Sequence, residues 1–301
     1  MRIGVDLGGT KTESVAIDDT GIERARLRVP TLSDSYDAII TSIVRLVHDT
    51  EACVGQTGTV GIGIPGALSP ATGLVKNANT VALIGHPLDR DLARALNRPM
   101  RVANDANCFV LSEASDGAGA GARVVFGVIV GTGTGGGVVV DGKLLTGPHA
   151  IAGEWGHNPL PWPRDDERPG PSCYCGKCGC IETFLAGPSL ARDHRLHTGE
   201  ARDADDIARR AEAGDAAALA SMIRYEDRMA RGLASVINLL DPDVIVMGGG
   251  VSNIARLYRE VPLRLGRYVF SDTVSTPIVP ARHGDSSGVR GAAWLWPVGE
   301  S

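Results

Sequence analysis

The chain has 301 residues, of which 43% are hydrophobic and 22% are charged, and its net charge is −5. A chain of this length buries a sizeable core and typically forms about two domains. The acidic balance argues against nucleic-acid binding, and no run approaches the about 20 apolar residues of a membrane-spanning helix. The start, MRIGVDLGGTKT, is not typical of an export signal, so we expect a cytoplasmic protein, in which structural disulfides are rare.

The chain begins with an apolar strand, a glycine-rich turn and a second strand, from Arg2 to Ile17. The turn is DLGGTKT, and apolar and β-branched residues flank it on both sides. The same plan returns in VVFGVIVGTGTGGGVVVDGKLLTG, from Val124 to Gly147, where the turn is GTGTGGG. Phosphate loops of the Walker A and dinucleotide types open a helix, whereas both of these turns lead into a strand. They are either ordinary β-turns or hairpins whose backbone N–H groups bind the phosphates of one nucleotide.

Further helices and strands are predicted between and after these two hairpins. Apolar residues at helical spacing predict helices over 36–53, 88–96 and 216–240. VGIGIPGAL, from Val60, and DVIVMGGG, which ends at Gly250, are predicted strands, and a helix is expected from about Val251. The proline-rich loop 159–172 is the segment that we expect to be most mobile.

Two aspartates follow predicted strands and carry candidate chemistry. Asp105 lies in NDAN (104–107), directly after the short strand RVA. It is either the cap of the next helix or a catalytic base that accepts a hydroxyl proton during phosphoryl transfer. Asp6 ends the first strand beside the DLGGTKT turn, and this position suits a carboxylate that orients Mg²⁺ directly or through water.

Four of the six cysteines lie within the stretch CYCGKCGCIE. Their spacing is typical of a metal site in an intracellular protein. A tetrahedral zinc site needs four ligands, and three of them would be Cys173, Cys175 and Cys180. The fourth would be either His157 of the preceding EWGH or Cys178. A redox pair of Cys175 and Cys178 is a third interpretation, and we favour zinc.

Five of these motifs together resemble the ROK family (repressors, open reading frames and kinases): DLGGTKT, GTGTGGG, NDAN, EWGH and C-x-C-G-x₂-G-C-x-E. The similarity covers essentially the whole chain. It implies an α/β fold of the two-lobed, actin-like ATPase type, with a zinc-bound loop in the larger lobe. The small α/β lobe would comprise residues 1–118 with a C-terminal helix at 288–301, and the large α/β lobe residues 119–287.

The resemblance implies an ATP-dependent hexose kinase that transfers the γ-phosphoryl group to a sugar 6-hydroxyl, with ATP, Mg²⁺ and a structural Zn²⁺ as cofactors. Three stretches make the chain most similar to bacterial fructokinases of the manno(fructo)kinase type: GEWGHNPLPW, KNAN at 76–79 and HGDSSGVRGAAWLWP. Fructose is therefore the expected substrate. The alternatives within the family are N-acetylglucosamine kinase, glucokinase and mannokinase. The family is also compatible with a homodimer.

The resemblance assigns the sugar site residue by residue. Asp105 would be the catalytic base, and Asn104 would hydrogen-bond the sugar. Glu154, His157 and Glu182 would complete the polar contacts to the sugar hydroxyls. By fixing the loop that carries His157 and Glu182, zinc would preorganise this pocket.

The same resemblance implies the metal and nucleotide contacts. Asp6 would orient Mg²⁺. The zinc ligands would be His157, Cys173, Cys175 and Cys180, and Cys178 would stay outside the site. The residues that contact the phosphates would be Gly8, Gly9, Thr10, Lys11, Gly131, Thr132, Gly133, Thr134 and Gly135. The residues next to the adenosine would be Gly248, Gly249 and Gly250.

Three other functions compete with a kinase. A repressor of the same family would carry a helix-turn-helix domain ahead of its sugar-binding lobes, and the first glycine turn begins within ten residues of Met1, so we expect none. An actin-like ATPase with a structural or chaperone role would not need the sugar and cysteine motifs. A sugar-binding module without activity would not need Asp105. We therefore expect a sugar and ATP as the partners, without nucleic acid or membrane.

Overall fold

The computed structural model describes residues 1–32, 35–78 and 80–299 and shows a mixed α/β protein. The chain divides into two compact units, of which unit 1 comprises Met1–Gly121, Gly142–Ala152 and Arg282–Ser301. Unit 2 comprises Ala122–Asp141 and Gly153–Ala281. The lobe limits expected from the sequence stay a prediction. Within the described ranges, no helix combines the length and the apolar character that crossing a membrane requires.

Short groups of strands and helices follow one another along the chain. The strands are β1 (Arg2–Leu7), β2 (Lys11–Ile17), β3 (Glu23–Pro30), β4 (Thr59–Ile64), β5 (Ala67–Leu68), β6 (Val75–Lys76), β7 (Met100–Asn104), β8 (Val124–Val130), β9 (Thr134–Val140), β10 (Lys143–Leu144), β11 (Val244–Gly248) and β12 (Ile278–Pro280). The α-helices are α1 (Tyr36–Val54), α2 (Leu88–Leu96), α3 (Asp105–Ser115), α4 (Glu182–Leu185), α5 (Gly187–Thr198), α6 (Ala204–Glu212), α7 (Ala216–Leu240), α8 (Arg256–Glu260), α9 (Pro262–Leu265) and α10 (Ser287–Trp294). The three helices predicted before residue 251 are confirmed as α1, α2 and α7.

The sheet of unit 1 places its strands in the order β3–β2–β1–β4–β7. β1 and β2 are antiparallel and form the first hairpin, whereas β1, β4 and β7 are parallel. Asp6 of β1 is aligned with Gly63 of β4, and the next residue of β4, Ile64, is aligned with Asn104 of β7. Because parallel strands end at the same edge of a sheet, this register brings Asp6 and Asn104 to one edge.

Helix α10 packs directly on this sheet because two glycines leave room for its backbone. A Cβ atom on Gly4 of β1 would lie 2.0 Å from the carbonyl oxygen of Val289, and one on Gly61 of β4 would lie 1.9 Å from that of Ala292. A larger residue at either glycine would push the helix off the sheet. The C-terminal segment therefore packs on the strands whose ends carry the candidate acidic residues.

In unit 2 the strands run in the order β9–β8–β11–β12. β8 and β9 are antiparallel and form the second hairpin, and β8, β11 and β12 are parallel. Ile129 of β8 is aligned with Gly248 of β11, so the glycines that end β11 lie beside the turn of the second hairpin. Helix α7 supplies much of the core of this unit, with buried side chains that include Met222, Tyr225 and Leu233.

Helical structure follows from about Val251, as the sequence predicts, but it is divided into three short pieces. The chain forms a 3₁₀ turn at Gly250–Asn253 and then the two short helices α8 and α9. Pro262 begins α9 and has no backbone N–H group to donate, so the hydrogen bonding of α8 ends before it.

The proline-rich loop 159–172, which the sequence predicts to be mobile, is anchored at its centre by Glu167. Glu167 is only 6% exposed and accepts hydrogen bonds from Arg228 Nε at 2.7 Å and from both terminal nitrogens of Arg231 at 2.7 and 2.8 Å. Burial opposes ionisation, but the hydrogen bonds from Arg231 and Arg228 outweigh it and lower the pKa of Glu167 to about 2. The loop is therefore tied to helix α7 by a buried ion pair.

Glu167→Gln is expected to lower the free energy of unfolding by about 3 kcal/mol, because it leaves two buried guanidinium groups without their shared carboxylate. The loss is at the low end of the range for a broken buried ion pair, since Asp193 and Asp227 still contact these arginines. Urea denaturation at neutral pH measures it. In the wild type, the ion pair stabilises the folded protein at neutral pH, because the pKa of Glu167 is lower in the folded chain than in the unfolded chain. This stabilisation is lost as the pH falls from the carboxyl pKa of the unfolded chain through the folded-state pKa of about 2.

The control for this change is Glu200→Ala, which removes an exposed partner of Arg202. An exposed pair contributes little, so this variant should unfold at nearly the wild-type urea concentration. Equal destabilisation by the two changes would contradict the anchoring role of Glu167.

Candidate active site

The turn of the first hairpin presents backbone donors. Gly8 N–H donates to the carbonyl oxygen of Lys11 at 3.0 Å and closes the turn, and the hydroxyl of Thr31 donates to the carbonyl oxygen of Gly8 at 2.8 Å. The N–H groups of Gly9 and Thr10 are bonded to no other group in the described part of the chain. Neighbouring unbonded N–H groups in a tight turn form an anion-binding nest. This geometry favours the phosphate-binding interpretation over an ordinary β-turn.

Asn104 and Asp105 have different roles at the start of α3. Asn104 is the N-cap, since its Oδ1 accepts the backbone N–H of Ala106 at 2.9 Å, and its amide nitrogen donates to the carbonyl oxygen of Gly66 at 3.3 Å. Asp105 is the first residue of the helix and is exposed, and one of its oxygens accepts the same Ala106 N–H at 2.8 Å. The capping role considered for Asp105 therefore falls mainly to Asn104, and the Asp105 carboxylate stays open to a ligand.

The local electrostatics favour the protonated forms of the two aspartates. Desolvation raises the pKa of Asp6 to about 6, with further contributions from the negative charges of Asp105 and Glu13, and Lys11 opposes the shift. Desolvation by the surrounding protein also raises the pKa of Asp105. A carboxylate with a raised pKa accepts a proton more readily, which is the property required of a general base.

The turn of the second hairpin is built like the first. Gly131 N–H donates to the carbonyl oxygen of Gly133 at 2.9 Å. The N–H groups of Thr132 and Gly133 find no acceptor among the residues that the structure describes. The N–H of Thr134 donates to Oε2 of Glu182 at 2.9 Å, so a side chain from outside the hairpin contacts the turn.

The glycines at the end of β11 lie close to this turn. Gly249 has a φ of 82°, and a Cβ atom there would lie 2.5 Å from the carbonyl oxygen of Val130. A Cβ atom on Gly131 would lie 3.9 Å from the backbone nitrogen of Gly250. Gly131, Gly249 and Gly250 therefore form a backbone surface without side chains beside the turn, which suits close approach of a nucleotide, whereas Gly248 is buried as the last residue of β11.

The EWGH motif packs against the second hairpin as the 3₁₀ turn Trp155–His157. Glu154 precedes this turn and is exposed. Trp155 is buried, and its Nε1–H donates to the carbonyl oxygen of Gly135 at 2.9 Å. A Cβ atom on Gly156 would lie 1.9 Å from a carbonyl oxygen of the hairpin, so only glycine fits there.

His157 and three cysteines form a cluster of candidate metal ligands. One ligand atom from each of His157, Cys173, Cys175 and Cys180 lies within 4.8 Å of the other three. His157 Nδ1 is 3.5 Å from Cys173 Sγ, and Cys175 Sγ is 3.6 Å from Cys180 Sγ. Cys178 is exposed and does not belong to this group.

The donor set and its spacing fit a four-coordinate zinc ion. A tetrahedron with zinc–sulfur bonds of about 2.3 Å has sulfur–sulfur edges of about 3.8 Å, close to the distance between Cys175 and Cys180. Thiolates and imidazole are the ligands that structural zinc sites use. Four protein ligands leave no open position for water, so an ion bound here would be structural rather than catalytic.

Two aromatic residues at this site were not anticipated from the sequence. Tyr174, inside the cysteine motif, shares a hydrogen bond of 2.8 Å with His157 Nε2, the ring nitrogen that does not face Cys173. Trp155 is the residue that holds Gly135 of the hairpin. Their positions in the sequence could have indicated both residues, because Trp155 lies between Glu154 and His157 and Tyr174 lies between Cys173 and Cys175.

Comparison with known proteins agrees with the motifs. The chain matches the model of the ROK family over residues 2–298. The N-acetyl-D-glucosamine kinases of Pectobacterium atrosepticum and Vibrio cholerae are 41% and 40% identical to it, each over 299 residues. These alignments cover 98% of this chain and 98% and 99% of the two relatives.

Solved structures show the same architecture. The ROK hexokinase from Thermus thermophilus matches with a TM-score of 0.87 and 32% identity, over 97% of this chain and 96% of that one. A ROK family glucokinase from Streptomyces griseus, solved in complex with glucose and AMPPNP, matches with a TM-score of 0.76 and 28% identity, over 98% of both chains. The expected actin-like α/β fold is therefore confirmed, and the chain belongs to the ROK family as one of its sugar kinases.

Proposed function

We propose that this protein transfers the γ-phosphoryl group of ATP to the 6-hydroxyl of N-acetyl-D-glucosamine. The observation that carries the proposal is a full-length similarity, at 40–41% identity, to kinases named for that sugar. Fructose, the substrate expected from the sequence, rests on three short stretches and becomes the second candidate. One residue of those stretches, Asn79, lies outside the described residues.

Asp105 is the base of the proposed reaction. It accepts the proton of the sugar hydroxyl while the hydroxyl oxygen forms a bond to the γ-phosphorus, the bond to the bridging oxygen breaks, and ADP leaves. Its open carboxylate and raised pKa support this role. Asn104 donates one amide hydrogen to Gly66, and its second amide hydrogen, which finds no acceptor among the described residues, donates to a sugar hydroxyl in this proposal.

The two glycine turns bind the phosphates in this proposal. The turn of the first hairpin offers the N–H groups of Gly9 and Thr10, with the charge of Lys11 beside them, and the second offers Thr132 and Gly133. The glycines at 248–250 lie next to the adenosine. Asp6 would orient Mg²⁺, which would neutralise phosphate charge.

Glu154 and Glu182 contact the sugar hydroxyls in this proposal, and His157 joins them through Nε2 by exchanging its hydrogen bond with Tyr174 for one with the sugar. Zinc would fix the loop that carries His157 and Glu182. The support is the ligand cluster, in which His157 faces Cys173 while Glu182 follows Cys180 by two residues. Zinc here would organise the pocket and would take no part in the transfer itself.

The sugar is identified by ADP release in a coupled assay with ATP, Mg²⁺ and either N-acetyl-D-glucosamine, fructose, glucose or mannose. We expect kcat/KM for N-acetyl-D-glucosamine to exceed that for fructose by about 10²-fold or more, because a site built around the acetamido group leaves buried polar atoms unpaired with other sugars. A higher kcat/KM for fructose would replace the proposed substrate. Absence of turnover with every sugar, in a preparation that binds a nucleotide, would contradict kinase activity.

A further inference from the structure

The turn of the second hairpin is held by residues from outside the hairpin at three backbone atoms. Glu182 Oε2 accepts the N–H of Thr134 at 2.9 Å, and Trp155 Nε1 donates to the carbonyl oxygen of Gly135 at 2.9 Å. The N–H of Gly187, at the start of α5, donates to the carbonyl oxygen of Gly131 at 2.8 Å. These contacts fix both ends of the turn whose free N–H groups face the nucleotide in the proposed function.

The turn depends on such contacts because it has little of its own to hold it. Glycine occupies positions 131, 133 and 135, and glycine has the widest range of backbone conformations. The hydrogen bond between Thr134 and Glu182 is charge-assisted and therefore among the stronger ones. The fit is close, since a Cβ atom on Gly133 would lie 2.7 Å from Glu182 Oε2.

The residues that hold the turn belong to the segments that carry the metal and sugar candidates. Trp155 lies between Glu154 and His157, and Glu182 follows Cys180 by two residues. The backbone of Glu182 is itself fixed, since its carbonyl oxygen accepts the N–H of Ala186 at 3.0 Å and the hydroxyl of Ser189 at 3.1 Å. Glu182 therefore joins the segment that carries the cysteines to the turn of the second hairpin, beside the contacts from Trp155 and Gly187.

We propose that Glu182 is a positioning residue for the nucleotide as well as a sugar contact, so that it sets the nucleotide affinity of this turn even when no sugar is bound. The inference rests on the proposed function in one respect, namely that the turn of the second hairpin binds the phosphates of the nucleotide. A residue that merely contacts sugar would change sugar affinity and leave the affinity for nucleotide alone unaltered.

The test is isothermal titration of the zinc-loaded protein with Mg²⁺ and AMPPNP in the absence of sugar. Glu182→Ala removes the acceptor for Thr134, and we expect the nucleotide Kd to rise about tenfold. Glu182→Gln keeps an oxygen at the same place, and the Kd should stay within about threefold of the wild type. Trp155→Phe removes the donor to Gly135 and keeps an aromatic ring in the core, so an intermediate rise is expected. Glu200→Ala is the matched surface control and should leave the Kd unchanged.

A wild-type nucleotide Kd in Glu182→Ala overturns the inference, as does an equal rise in the Gln variant, because the Gln side chain still accepts the Thr134 hydrogen bond. If Glu182→Ala does not fold, Glu182→Asp decides, because the shorter side chain keeps the charge but withdraws the acceptor from Thr134, and a wild-type Kd there again overturns the inference. The sugar panel is a separate measurement. Failure of the proposed substrate would therefore leave the nucleotide result interpretable, and failure of this inference would leave the kinase activity standing.

Discussion

Asp105→Asn is expected to lower kcat by about 10²–10⁴-fold while the affinity for sugar stays nearly unchanged. The amide keeps the size and hydrogen-bonding reach of the carboxylate but does not accept the hydroxyl proton. The structure favours this role because Asn104 already supplies the helix cap, which leaves an exposed carboxylate with a raised pKa. Turnover is measured by ADP release, and sugar affinity by titration calorimetry.

The control for this substitution is Asp49→Asn, on an exposed part of α1, which should retain full turnover. Since the pKa of Asp105 is raised, the acid limb of the wild-type pH–rate profile should lie above the range of an ordinary aspartate, with activity rising as the carboxylate ionises. Turnover of Asp105→Asn within a few fold of the wild type would show that another group accepts the proton.

Loss of the metal is expected to lower sugar affinity by about 10²-fold or more and to lower the melting temperature. Without an ion, the three thiols and the imidazole, which lie within 4.8 Å of one another, are no longer bridged by a metal, and the loop that positions His157 and Glu182 loses that constraint. Metal content by elemental analysis, sugar titration and thermal unfolding before and after chelation measure these effects.

Cys180→Ser and Cys178→Ser form a matched pair for this prediction, because both change a thiol of the same loop to a hydroxyl. Cys180 is buried within the ligand cluster, whereas Cys178 is exposed and lies outside it. We expect the first variant to lose zinc and sugar binding and the second to keep one zinc per chain. Zinc retained in Cys180→Ser, or lost only in Cys178→Ser, would show that the ligand set is wrong.

The local elements of the fold could be predicted because their signals lie within short stretches of the sequence. Helix periodicity and ending signals located α1, α2 and α7, and strands on both sides of the glycine turns located the two hairpins. The sequence predicted a helix after Val251 but not its division into a 3₁₀ turn and two short helices, since a sequence pattern does not reveal where 3₁₀ bonding replaces the α-helix. Pro262 marks one end of that interruption.

The substrate was harder to predict than the reaction. Motifs such as DLGGTKT and NDAN indicated the reaction through their resemblance to the ROK family, and phosphoryl transfer needs backbone donors and a carboxylate at defined places. Discrimination between hexoses rests on a few hydrogen bonds, and short stretches such as KNAN do not report their geometry. The comparison over the whole chain therefore favours N-acetyl-D-glucosamine where the stretches favoured fructose.

By itself the sequence determined which candidate groups the chain carries: two glycine turns, the aspartate after β7, and a cysteine cluster at metal-ligand spacing whose fourth ligand was either His157 or Cys178. Only the tertiary structure decided how these parts depend on one another. Thr134 donates a hydrogen bond to Glu182, 48 residues away, and Trp155 donates one to Gly135, 20 residues away. The pairing of such distant groups depends on how α4 and the EWGH turn pack on β9. The burial of Glu167 within a loop expected to be mobile has the same cause, because its arginine partners lie more than 60 residues away on α7.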